Sequence, residues 1–261
     1  MNDRTKHQIM KNREVLKGYS CADIGAEDTD QKQKISGPAP VKVYGSEVQI
    51  HLPTDFSELN MEVDLNACIR DRRSRRTFAK DPVLLTELAY LLWATQGIRH
   101  TVQTDSAITF RNVPSAGSRH PLETYLFLNH VEGIRAGLYH YRPDLHLLER
   151  MVCEETYTGE LKDALCGQIF AATAPVLFVW SAIPYRCEWR YGLKAAKYIL
   201  LDAGHVCENL YLAAENIRLG VCAVGAYDQD LLDELLGFVP GPSADPEYEC
   251  AVYVAAVGKN T

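Results

Sequence analysis

The rhythm of apolar and polar positions divides the chain into an amino-terminal stretch and a body. From Met1 to about Glu62 the sequence is polar and broken, with Asp28-Thr29-Asp30-Gln31-Lys32-Gln33-Lys34 followed by Gly37-Pro38-Ala39-Pro40. Such a segment cannot bury enough apolar surface to offset its own ordering entropy. Residues 1–62 therefore read as an extended arm, which if ordered lies on its own body or on a partner subunit and otherwise is a disordered tail. In the body, residues 63–261, Leu65, Cys68, Ile69 and Arg72 fall at helical spacing. Asp81-Pro82 then precedes Leu84, Leu85, Leu88, Leu91 and Leu92, so two helices joined by a basic run are predicted. Glu123–Asn129 and Gly137–Tyr141 read as strands, and Ala174–Ser181 is an almost unbroken apolar run suited to a central strand. Between Leu193 and Leu219 the apolar positions Ala196, Ile199, Leu200, Ala203, Val206, Cys207, Leu210, Tyr211, Ala214 and Ile217 keep a helical period. A last strand runs from Glu249 to Val257 and leads into Gly258-Lys259.

Composition narrows the classes. At 261 residues and 47% hydrophobic, the chain can bury a sizeable core. Its formal charge of −7 argues against nucleic acid as a partner, because such binders neutralise phosphates with an excess of Lys and Arg. Arg4, Lys6, Lys11, Arg13 and Lys17 interrupt the first turns, and no segment reaches the ~18 apolar residues that a membrane span needs, so a cytoplasmic location is expected. The eight cysteines form no CxxC pair and no zinc-like spacing, so free thiols and no metal are expected.

Four groups of residues carry candidate chemistry. Between Asp71 and Phe78 stand Arg72, Arg73, Ser74, Arg75, Arg76 and Thr77. Guanidinium forks hold phosphate oxygens two at a time, so this run can grip a phosphate dianion, although basic runs more often form a solvated face. Val113-Pro114-Ser115-Ala116-Gly117-Ser118-Arg119-His120-Pro121 is a punctuated loop that enters a strand. Its small residues allow close backbone approach to a flat ring, and His120 reads as a hydrogen-bonding residue. Gly220–Tyr227, containing Val224, Gly225 and Ala226, reads as the turn after the long helix. Lys259 closes the final strand.

Taken in order, these groups resemble the nitroreductase superfamily over roughly Leu65 to Lys259. Arg72, Arg73, Ser74, Arg76 and Phe78 match its amino-terminal flavin motif position by position. The string from Pro114 resembles the Pro-Ser-x-Gly loop of the subgroup named for SagB-type dehydrogenases, and the arm resembles that subgroup's leader. The resemblance implies an α+β, three-layer α/β/α fold with a central, mostly antiparallel sheet, assembled as a homodimer with FMN between the subunits. Arg72, Arg73, Ser74, Arg76 and Lys259 would hold the phosphate end, with Phe78 packed behind and Arg75 facing solvent. Pro114, Ser115, Ala116, Gly117, Ser118 and His120 would line the flavin ring, and Val224, Gly225 and Ala226 would present backbone amides to its N5 atom. The implied activity is an FMN-dependent oxidoreductase passing hydride between NAD(P)H or an organic donor and a small organic acceptor. The alternatives are a SagB-like dehydrogenase acting on a peptide or ring, and a flavin-binding module without turnover. In that subgroup a Lys-Tyr pair precedes the long helix, and here Arg190-Tyr191 stands in its place. Arginine stays protonated and is a poor base, which leaves Tyr191 as the candidate acid or base, with a core aromatic as the other reading.

Overall fold

The computed structural model describes residues 2–17, 28–61, 64–103, 107–151 and 157–261. Cys21, Cys153 and the arm-to-body boundary at residues 62–63 lie outside them. The chain forms α1 (Asp3–Asn12), β1 (Gln49–His51), α2 (Leu65–Asp71), α3 (Leu85–Gln96), β2 (Ile98–Gln103), β3 (Ala107–Arg111) and β4 (Leu122–Leu128). There follow β5 (Gly137–Arg142), β6 (Leu147–Arg150), α4 (Thr158–Ala164), α5 (Ile169–Ala172), β7 (Val176–Ala182) and α6 (Tyr185–Tyr191). The last elements are α7 (Ala195–Asn216), β8 (Leu219–Val224), α8 (Gln229–Leu235) and β9 (Cys250–Lys259).

Seven strands form one sheet in the order β1-β6-β5-β4-β7-β9-β8, and every pairing between them is antiparallel. All seven residues of β4 and of β7 are buried, as expected for strands covered on both faces. Alternation assigns their side chains to two cores: Leu126, Leu128, Phe178 and Trp180 pack with α3 and α7 on one face. Tyr125, Phe127, Leu177 and Val179 pack with α4, α5 and α8 on the other. The result is the expected α/β/α sandwich.

Local chemistry starts the helices where the sequence places them. Asp64 accepts the Ala67 amide at 3.0 Å to cap α2, and Glu87 reaches back to the Leu84 amide at 2.7 Å to cap α3. Strands β1, β2 and β3 escape the sequence reading for a physical reason. The β2–β3 hairpin exposes Arg99 to Gln103 on both faces and so carries no alternation, and β1 is only three residues long.

The interval from Gly220 corrects the expectation of a turn. The helix reverses earlier, at Arg218, which takes a left-handed φ of 60° without glycine. Leu219–Val224 is consequently strand β8, paired with Lys259–Val254, and only Gly225, Ala226 and Tyr227 lie in the loop beyond it.

A Cβ on Gly258 of β9 would lie 2.8 Å from Cγ and 2.9 Å from Cβ of Phe78. Gly258→Ala is therefore expected to displace that ring and lower stability by about 1–3 kcal/mol, the cost of overpacking, as read from denaturant unfolding.

Candidate functional site

The basic run is laid across the ends of β8 and β9. Ser74 bridges to Val221, Arg75 donates its amide to the Val221 carbonyl at 2.9 Å, and Ala79 donates to the carbonyl of Lys259 at 2.9 Å. Residues far apart in sequence thus converge: Arg72 to Phe78, the start of β8, and Lys259. Tyr211 of α7 organises the group. Its hydroxyl shares a hydrogen bond with Ser74 Oγ at 3.0 Å and accepts the Ala223 amide at 2.8 Å, while Arg72 lies 5.2 Å from its ring centroid. Arg76 lies over Phe170 at 5.8 Å and Arg73 is exposed. Lys259 is half-buried, with Nζ 3.6 Å from Glu87.

Arg75 does not face solvent. It is half-buried and donates to both oxygens of Glu215, at 2.6 and 3.1 Å. The partner stands 140 positions away, so no local pattern could have announced it. With Arg75 neutralised, Arg72, Arg73 and Arg76 have no ion pair among the described residues. That donor set suits a phosphate group.

The second cluster is built on the amino-terminal half of α7. Asp202 is buried, accepts the Ser115 hydroxyl at 2.6 Å and accepts the Ala116 amide at 3.2 Å. Ser115 Oγ in turn accepts the His120 amide at 2.9 Å. These bonds hold a strained loop: Gly117, Ser118 and His120 take φ values of 56°, 53° and 44°. Burial, then the charges of Arg111 and Arg119, push the His120 imidazole down to about 2, so it sits neutral. Pro114 and Gly117 are exposed. A Cβ on Gly117 would run onto the Tyr191 hydroxyl and come within 3.1 Å of Arg190 Nε, so the loop backbone touches the Arg190-Tyr191 pair at the end of α6. Burial raises the Tyr191 phenol, and Arg190 opposes that rise.

The structure therefore gathers the predicted residues into two groups along α7. Asp202 and Tyr211, their anchors, are separated by about 14 Å of helix rise. Gly225 and Ala226 stand exposed past the end of β8. Asp202, Tyr211 and Arg119 went unassigned by sequence. An acid on the apolar face of a long helix was the available signal for Asp202; nothing local distinguished Tyr211 from a core aromatic. Asp202→Ala leaves two donors unmet and is expected to cost about 1–3 kcal/mol, with faster proteolytic cleavage within residues 114–120. Equal cleavage rates would remove Asp202 as the loop's anchor.

Among the described residues there is no cluster that could hold a metal ion, and no helix is long and apolar enough to cross a membrane. Cys166, Cys187, Cys207, Cys222 and Cys250 carry free thiols.

An antiparallel sheet between helical layers, with a cationic run laid across its edge, is an α+β sandwich. The chain belongs to the nitroreductase family, whose model matches residues 69–259. It is 35% identical over 192 residues to a Methanocaldococcus jannaschii protein assigned as a nitroreductase, covering 74% of this chain and 91% of that one. A structure from Anabaena variabilis, also assigned as a nitroreductase, superimposes with a TM-score of 0.70 at 22% identity over 95% of this chain, which spans 45% of that chain. A chain in the Escherichia coli microcin synthetase McbBCD complex superimposes with a TM-score of 0.57 at 16% identity, covering all (100%) of this chain and 95% of that one.

Proposed function

We propose that the protein is an FMN-dependent oxidoreductase that passes hydride between NAD(P)H or an organic donor and a small organic acceptor. The observation that carries this reading is the convergence of Arg72, Ser74, Arg76 and Lys259 on the paired ends of β8 and β9, with Arg75 alone of its run spent on an internal carboxylate. Arg72, Arg73 and Arg76 would bind the phosphate, with Lys259 completing the clamp. The loop of Pro114, Ser115, Ala116, Gly117, Ser118 and His120 would lie along the ring, and Val224, Gly225 and Ala226 would offer the N5 contact. Bound FMN supplies the hydride chemistry itself; the chain's part is position, charge and exclusion of water.

A homodimer fits the surface. Leu65 and Ile69 of α2, Trp93 of α3 and Leu200 and Leu201 of α7 are between 43% and 64% exposed. Leu65 also lines a groove of about 270 Å³ together with Tyr90, Ala94, Leu212 and Ala213. A second copy covering these helices would remove that apolar area from water and bring its own loop to the site.

Tyr191, half-buried against the Gly117 backbone, would give or take a substrate proton, a role for which the arginine beside it is a poor base. Purified protein is expected to be yellow, to bind added FMN after stripping, and to bleach anaerobically with NADH or NADPH. A protein that takes up no FMN would overturn the proposal.

A further inference from the structure

The Arg190 side chain, unsuited to proton transfer, stands in an unusual electrostatic setting. Arg190 is exposed on the last turn of α6, with Nε and Cδ 3.1 and 3.2 Å from where a Gly117 Cβ would be. Arg119, on the other side of the same loop, is 4% exposed and has its Cζ over the Trp189 ring, 4.6 Å from the centroid. Its Nε donates to the Arg186 carbonyl at 2.8 Å, and its terminal amino groups make no hydrogen bond among the described residues. Neither Arg119 nor Arg190 forms an ion pair there. The two guanidinium groups feel each other: after burial, Arg190 is the strongest influence lowering Arg119, followed by Cys187, which opposes it, and Arg186, which adds to it. Burial raises the carboxyl of Glu188, the acid on the same helix, and it forms no ion pair among the described residues. Two arginines that flank one loop with no carboxylate paired to either among the described residues, one of them buried against an indole, are a cost that a bound anion relieves.

We propose that Arg119 and Arg190 seat an oxyanion of the substrate, holding it beside Tyr191 and the Gly117 backbone. This rests on the flavin reading for its place in catalysis, but the seat itself belongs to the chain. It confines the substrates to molecules that carry a carboxylate or a phosphate. The two sources of such a group are an organic acid that gains or loses hydride and the adenosine 2′-phosphate of NADPH, which NADH lacks.

Calorimetric titration of the purified protein with benzoate and with inorganic phosphate reads the seat without turnover. One of the two is expected to bind, about tenfold or more weaker to Arg190→Gln, with part of the affinity restored by Arg190→Lys. Kinetics then identify the source. If it is an organic acid, the ratio of kcat/KM for 4-nitrobenzoate over 4-nitrobenzamide falls about tenfold or more in Arg190→Gln. If it is the cofactor, the ratio for NADPH over NADH falls instead. Wild-type protein that binds neither anion, or binding and both ratios unaltered in the variant, would overturn the proposal. Protein that binds an anion in this way but holds no FMN would leave the seat standing and sink the flavin reading.

Discussion

Glu123→Gln is expected to lower stability by about 3–5 kcal/mol and the melting temperature by roughly 6–20 °C, the range for leaving a buried charge without its partner in a domain of this size. Glu123 is 1% exposed, with Oε1 2.6 Å from Arg186 Nη1 and Oε2 3.0 Å from His140 Nε2. It also accepts the Lys42 amide at 3.0 Å. His140 continues the network to Glu149 at 3.2 Å, and Ser181 and Lys42 meet Glu249, both at 2.5 Å. The amide keeps the volume but turns one hydrogen-bond acceptor into a donor and removes the charge facing Arg186. Burial alone would raise the Glu123 carboxyl, yet Arg186, the His140 bond and Arg111 together hold it well below the usual carboxylate range. A lowered folded value means stability that is present above the unfolded value of 4.5 and is lost as pH falls through the folded one. Denaturant unfolding of both proteins from pH 7 to pH 3 should show their difference shrinking below about pH 4.5. A difference that is small at pH 7, or constant across the range, would show that Arg186 does not depend on this carboxylate.

Arg72→Ala should weaken FMN binding by about 1.5–3 kcal/mol, or roughly tenfold to more than a hundredfold, as measured by fluorescence titration of stripped protein. The guanidinium is half-buried and held over the Tyr211 ring, so its orientation is prepared before phosphate arrives. Removing the charge should also flatten the salt dependence of binding, which distinguishes a lost phosphate contact from a shifted loop. Unchanged affinity would take Arg72 out of the clamp.

The elements legible in the sequence are those whose burial is set by neighbours along the chain. Strands β4 and β7 announce themselves through continuous apolar runs, and α7 through a period kept over about six turns. The basic run is legible as composition, but its division of labour is not. Arg72 and Arg75 look alike in sequence, and only the fold, by bringing Glu215 and Tyr211 alongside, spends one on structure and leaves the other without an acid. The same holds for the Ser115 loop, whose residues were readable while Asp202, which anchors them, was hidden among apolar helix positions. Arg119 illustrates a different limit. Its setting depends on Trp189 and Arg186, which a loop-by-loop reading keeps apart.

The amino-terminal stretch has a consequence for how the length of this chain can vary. Trp189 Nε1 donates to the Ile35 carbonyl at 2.9 Å, Arg111 donates to the Pro40 carbonyl at 2.9 Å, and the Tyr44 and Gly45 amides both donate to Glu149 at 3.0 Å. Between these anchors the chain has little slack, and nearer its start Lys197 of α7 donates to the Leu16 carbonyl at 2.9 Å. A single-residue insertion or deletion between Ile35 and Tyr44 must release one of the three and pull on the helix that carries Arg190 and Tyr191.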